Sequence, residues 1–176
     1  RADAPVVEKA SVDEFYLDMT GMDKVFGIVK YTNELRGKII KETGLPVSMG
    51  LSQNKTVSKV ATGESKPNGQ MRIDYGKEKD FLAPLSVKKI PSVGNETYQV
   101  LSELGIKTIY TLQQMPQQAM EKVLGKNGQS IWLKAQGIDN TPVKQFYERE
   151  SLSSERTFDR DTIDVKKLET ILTAMA

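Results

Sequence analysis

The hydrophobic pattern of this 176-residue chain changes character near Asp80, and the change narrows the folds open to it. Before that point Phe15, Leu17 and Met19 alternate with polar neighbours, as do Val47, Met49 and Leu51, which is the period of half-buried strands. A helix-spaced run separates the two. After Asp80 only short helical patterns remain, joined by glycine turns from roughly Phe81 to Gly137. Strand pair, helix, strand, helix, strand predicts a small α/β or α+β layer, followed by a region made of helices alone.

The individual elements follow from local signals. Pro5 to Ser11 reads as a strand, and Ser11-Val-Asp-Glu fits a tight antiparallel connection to the next. Asp23 to Thr43 has the spacing of a helix, with Val25, Ile28, Val29, Leu35 and Ile39 as its buried face and Gly44 as its stop. A short helix is expected from Gln53 to Thr62, a turn at Lys66-Pro-Asn-Gly, and a fourth strand over Gln70 to Asp74. In the second half Ile90-Pro-Ser-Val-Gly-Asn lies between Val87-Lys-Lys and a helix ending at Leu104. A looser echo, Leu124-Gly-Lys-Asn-Gly, lies between the helices of Met120 and Trp132. Thr141 to Glu155 is polar and reads as a linker, with a new segment beginning at Thr157-Phe158.

Composition removes several chemistries. There is no cysteine and no histidine, so disulfides, thiolate metal sites and histidine base catalysis are excluded. Lys plus Arg number 25 against 23 Asp plus Glu, and a net charge of +2 does not by itself imply nucleic acid. No apolar run approaches a membrane span and no signal peptide opens the chain, so a soluble, cytoplasmic protein without a membrane partner is expected. The start at Arg1, without an initiator Met, and the helix-like close at Ala176 suggest part of a longer protein.

Three groups of residues carry possible chemistry. Asp13 and Glu14 are poor strand residues, and side by side they need either solvent or a cation. Strict alternation points them to opposite faces, whereas a turn lets both converge on one ion. Lys55, Lys59 and Lys66 fall within a dozen residues, a pattern that ordinary solubility explains more readily than a triphosphate site. A helix, a glycine-bearing hairpin and a second helix can offer consecutive backbone amides to a phosphate, with the helix dipole adding to the attraction. Lys88, Lys89, Lys107, Lys122 and Lys126 cluster around the two hairpins, as a nucleic-acid surface or as a solvated face.

Ala10-Ser-Val-Asp-Glu-Phe-Tyr-Leu-Asp resembles the second acidic motif of the translesion, or Y-family, DNA polymerases, and the order of the later motifs matches their DNA polymerase IV branch. Gly50-Leu-Ser-Gln-Asn-Lys-Thr-Val-Ser-Lys-Val-Ala and Lys66-Pro-Asn-Gly-Gln are similar to the end of the palm. Ile90-Pro-Ser-Val-Gly resembles the helix-hairpin-helix of the thumb, and Trp132-Leu-Lys-Ala-Gln-Gly-Ile-Asp its end. Ser151-Leu-Ser-Ser-Glu-Arg-Thr-Phe resembles the beginning of the little finger.

The resemblance implies an α+β fold: a partial palm with a mixed or antiparallel sheet over 1–79, a helical thumb over 80–139, a linker over 140–155 and the start of a little finger over 156–176. It implies template-directed addition of deoxynucleotides to a primer end by two-metal transfer. Asp13 would hold both Mg2+ ions, and Glu14 the one that activates the primer hydroxyl. Lys66 would meet the triphosphate tail of the incoming deoxynucleoside triphosphate, with Lys59 nearby. Pro91, Ser92, Val93 and Gly94, with Lys88 and Lys89, would grip the backbone of primer-template DNA. The family's first metal-binding Asp, finger domain and ribonucleotide-excluding residue would precede Arg1, and a possible sliding-clamp contact would follow Ala176, so this chain alone is expected to be inactive. The sequence departs from the family at Ser92 and Gly63, where Gly and Asp are usual. A competing reading is a non-catalytic duplex-DNA-binding protein that uses only the hairpin; the error-prone subunit of polymerase V is a nearer one, disfavoured by the Lys66 turn and the hairpin's form.

Overall fold

The computed structural model describes residues 6–22, 27–145 and 153–175, which divide into two compact units, 1–145 and 146–176. The first unit opens with a hairpin. Strands β1 (Val6–Lys9) and β2 (Phe15–Asp18) pair antiparallel with Glu8 opposite Tyr16. The turn is closed by Ala10 and Ser11, whose N–H groups both donate to the Glu14 carbonyl, at 3.0 and 3.2 Å.

Helix α1 (Ile28–Thr43) stops at Gly44, which takes the left-handed conformation at φ 71° and donates its N–H to Ile40 O. The expected first turn, 23–26, lies outside the described residues, as does Pro5. The expected apolar face of α1 is less buried than its spacing suggests: only Thr32 is fully buried, and Ile28, Val29, Leu35 and Ile39 are half-exposed. The helix has little to cover, because β3 (Met49–Leu51) and β4 (Gln70–Arg72) form a parallel pair only three residues long. Arg36 supplies a polar anchor instead, donating from Nε to Val47 O at 2.7 Å and from Nη2 to the carbonyl and side chain of Asn68.

The crossover between β3 and β4 is α2 (Lys55–Glu64), whose Val57, Val60 and Ala61 recur at helical spacing and are buried. Among the described residues the strands therefore make two separate pairs, not one continuous layer. Strand and helix limits lie within a few residues of those predicted, the usual reach of local signals.

The remainder of the unit is helical: α3 (Glu78–Leu82), a single 3₁₀ turn at Val87–Lys89, α4 (Asn95–Glu103), α5 (Ile109–Gln113), α6 (Gln117–Leu124) and α7 (Lys126–Ala135). The first helix of the expected helix-hairpin-helix is thus only that 3₁₀ turn, capped by Ser86, whose hydroxyl accepts from Lys88 N. Leu82, Val87, Ile90, Leu101, Ile106, Ile109, Leu112, Met120 and Ile131 are buried in one cluster that also takes in Val57 and Val60 of α2. One core therefore joins the strand-bearing half to the helical half. Trp132 lies at its edge, its Nε1–H donating to Met115 O at 2.8 Å.

The expected linker is not free at its start, since Lys144 N donates to Glu8 Oε2 at 2.8 Å; its later part, 146–152, lies outside the described residues. In the second unit α8 (Val165–Met175) begins at Asp164, whose carboxylate accepts from Lys167 N at 3.1 Å. Among the described residues no helix is long and apolar enough to cross a membrane.

Candidate functional site

Asp13 and Glu14 occupy the turn of the β1–β2 hairpin, where alternation no longer applies. Ser11 organises them. Its hydroxyl donates to Asp13 Oδ1 at 2.7 Å and accepts from the N–H groups of Asp13 and Glu14 at 3.3 and 3.1 Å. The Ser11 hydroxyl, the Asp13 backbone N–H and the nearby charges of Lys66 and Lys59 together hold the Asp13 carboxyl below its ordinary value. It is a fully exposed carboxylate, ionised across the neutral range.

Helix α2 faces this turn with two lysines at i,i+4 spacing, and the structure gives them different work. Lys59 Nζ meets Glu14 Oε2 at 2.5 Å, with both side chains 40–45% exposed. Lys55 Nζ meets Glu8 Oε1 at 2.6 Å, with 14% and 5% exposed, and stands 4.7 Å from the centre of the Tyr16 ring. Burial, followed by the negative charges of Glu14, Glu8 and Asp139, pushes the Tyr16 phenol up to about 12. Lys55 therefore fastens the hairpin to α2, and Lys59 and Lys66 are the lysines beside the acidic turn.

Lys66 is exposed on the turn between α2 and β4. That turn requires glycine at position 69, where a Cβ would lie 2.1 Å from Ser65 O. Asn68 stands at φ 49°, and Arg36 holds it from α1. Arg36, Glu8 and Ser11 are supporting residues missed in the sequence; only Ser11, a hydroxyl two residues before an Asp, carried a local signal. Asp139 is a fourth. Its Oδ2 accepts from Thr56 N and Oγ1 at 3.1 and 2.8 Å, tying the segment after α7 to the start of α2. Burial opposes its charge, but hydrogen bonds from Thr141 and Thr56 outweigh burial and keep its carboxyl low.

The donors at the turn are carboxylate and hydroxyl oxygens, the type a hard cation such as Mg2+ prefers. They are too few for a full site: no group of three or more His, Cys, Asp or Glu able to hold an ion occurs among the described residues. A surface depression of about 560 Å³ lined by residues of α1 and by Arg72 shares no residue with this turn.

The hairpin of the helical half forms a second exposed feature. Ser92 and Gly94 are exposed at its tip, and α4 starts at Gly94 without a side-chain cap. Its first-turn amides thus have no cap of their own. Lys88 lies beside it, 4.0 Å from the centre of the Tyr98 ring. Lys89 points elsewhere: its Nζ is 2.7 Å from Glu64 Oε1 on α2, an ion pair whose angles fall short of a hydrogen bond.

Comparison with known proteins gives these two features a common context. Residues 1–63 match the impB/mucB/samB family, and residues 88–139 match the thumb domain of DNA polymerase-iota. The DNA polymerase IV of Dehalococcoides mccartyi is 36% identical over 174 residues, covering 98% of this chain and 45% of that protein. Among solved structures, DinB from Sulfolobus solfataricus superposes with a TM-score of 0.73 at 28% identity, over 82% of this chain and 43% of that one. An insertion ternary complex of Dbh DNA polymerase gives 0.73 at 29% identity, over 81% and 42%. The chain spans less than half the length of the curated relatives it matches.

Proposed function

The chain belongs to the Y-family DNA polymerases, in the branch of DinB and DNA polymerase IV, and covers their palm–thumb region; on that premise we propose that the protein containing it extends a DNA primer against a template by nucleotidyl transfer. The convergence of Asp13 and Glu14 with Lys59 and Lys66 at one turn carries this reading. A binding module gains nothing from carboxylates placed where phosphates must come.

Asp13 and Glu14 would hold Mg2+, which would supply the positive charge that steadies the attacking and leaving oxygens. The described residues are short of a complete set, so further ligands must come from elsewhere in the protein. Lys66, exposed and beside Asp13, is the better placed lysine for a triphosphate tail; Lys59 is committed to Glu14, which it keeps oriented towards the turn. The proposed boundaries are 1–79 for palm, 80–139 for thumb, 140–155 for linker and 156–176 for the start of the little finger; the end of the last strand at Arg72, with only helices from Glu78 onward among the described residues, supports the first of them. Residues Pro91 to Gly94 and Lys88 would meet the phosphates of primer-template DNA, positioning the duplex without reading its bases. Lys89, paired with Glu64, would contribute less.

The test is primer extension with Mg2+ by the product of the complete gene beside its Asp13→Ala form. Extension is expected from the first and a loss of about 10²- to 10³-fold from the second, the scale of removing a principal electrostatic group from a transfer reaction. Equal extension by both would overturn the assignment. No extension by either, with duplex binding intact, would leave the DNA-binding reading instead.

A further inference from the structure

The hairpin between the 3₁₀ turn and α4 contains a conformation that its side chain does not favour. Ser92 stands at φ 82°, in the left-handed region where a Cβ is crowded and glycine is at ease. Gly94 makes no such demand: its φ is −80°, and a Cβ there would meet nothing within 4 Å. The hairpin thus needs backbone freedom at position 92 and has a serine there. What holds it comes from 42 residues further along the chain. Lys134 Nζ donates to Ser92 Oγ at 3.1 Å and to Pro91 O at 3.3 Å. Lys134 is itself half-buried on α7, between Ile131 and Ala135, both fully buried. The stretch of α7 that carries it is therefore anchored by the core and not by the hairpin.

We propose that Lys134 is a positioning residue for the DNA-backbone contact, locking Ser92 in its left-handed conformation through the hydroxyl and the preceding carbonyl. The proposal rests on the reading of this hairpin as the phosphate-contacting element. Without the ammonium group, Ser92 relaxes towards negative φ, the peptide planes on either side turn, and the amides at the start of α4 lose their alignment. A glycine at position 92 needs no such lock. The contact also brings a positive charge under the hairpin, so a direct phosphate role for Lys134 is the alternative the experiment must separate.

A double-mutant cycle does this, using the whole chain, its Lys134→Met and Ser92→Gly forms, the double substitution and Lys134→Arg. Binding of a fluorescent primer-template duplex is followed by anisotropy over a salt series, and thermal midpoints are read on the same proteins. The lock predicts that Lys134→Met weakens binding about 10-fold at unchanged salt slope, but less than about 2-fold in the Ser92→Gly background. Lys134→Arg retains most of the affinity. Equal losses in both backgrounds, with the slope shallower by about 0.9, would make Lys134 a phosphate ligand and overturn the lock. No loss in either background overturns it too. Should the unsubstituted chain fail to bind duplex, the reading of this hairpin as the phosphate-contacting element falls, and the midpoints still decide the lock. A drop on Lys134→Met that Ser92→Gly largely removes supports it; additive drops overturn it.

Discussion

Tyr16 shows how a single side chain reports on the arrangement around it. Its ring lies against Lys55 and its phenol shares a neighbourhood with Glu14, Glu8 and Asp139, so burial and negative charge both favour the neutral form. The folded value near 12 lies above the ordinary 10.0, so the folded state keeps a proton that the unfolded state gives up. Stability from this group is complete below pH 10 and is lost as pH rises through 12. Urea unfolding across that range should show a steeper alkaline fall for the natural chain than for Tyr16→Phe. In a near-ultraviolet titration the phenolate step near 12 should vanish in the variant. Identical alkaline profiles would mean that Tyr16 is solvated. None of this was legible in Phe-Tyr-Leu-Asp, where Tyr16 is simply a strand residue.

At the scale of elements, α2 is the piece on which the two halves meet. Asn54 caps it by accepting from Val57 N at 3.0 Å, and Asp139 accepts from Thr56 N. Lys55 and Lys59 register it against the hairpin, and Lys89 reaches its far end. Burial decides which of these ties matter. Lys55→Ala takes the ammonium partner from the carboxylate of Glu8 in a nearly closed site, leaving it the Lys144 N–H at Oε2, and is expected to cost roughly 3 kcal/mol. Lys59→Ala breaks an ion pair open to water, expected to be worth at most about 1 kcal/mol. Asp139→Ala removes a cap supplied from a distant segment, at about 1–2 kcal/mol. Urea midpoints measured side by side check the order; a Lys59→Ala loss as large as that of Lys55→Ala would contradict it. The capping Asn and the i,i+4 lysines were readable as local signals. Their partners were not, because Glu8 and Asp139 lie 47 and 83 residues from the residues they hold.

At the scale of the whole molecule, one hydrophobic cluster runs from α2 through α4 to α7. Palm and thumb in this chain consequently share a core and are expected to unfold together. Among the described residues the acidic turn has two carboxylates and no third, so this chain by itself is expected to bind primer-template DNA, more weakly as salt rises, and to extend a primer no faster than background. Measurable extension by the chain alone would show that two carboxylates and their lysines suffice.

Residue order carried the kind of molecule. Alternation followed by short helical patterns marked an α+β part and a helical part, and the motifs from Asp13-Glu14 to Ile90-Pro-Ser-Val-Gly placed the chain in its family, because such signals are local and survive in linear order. The folded chain alone decided how the elements are fastened: Lys55 to Glu8, Lys89 to Glu64, Lys134 to Ser92, Asp139 to Thr56. A lysine on a helix face looks the same whether it will meet water, a phosphate or a carboxylate. Its partner is chosen when distant segments pack, and the cost of burying an unpaired charge enforces the choice.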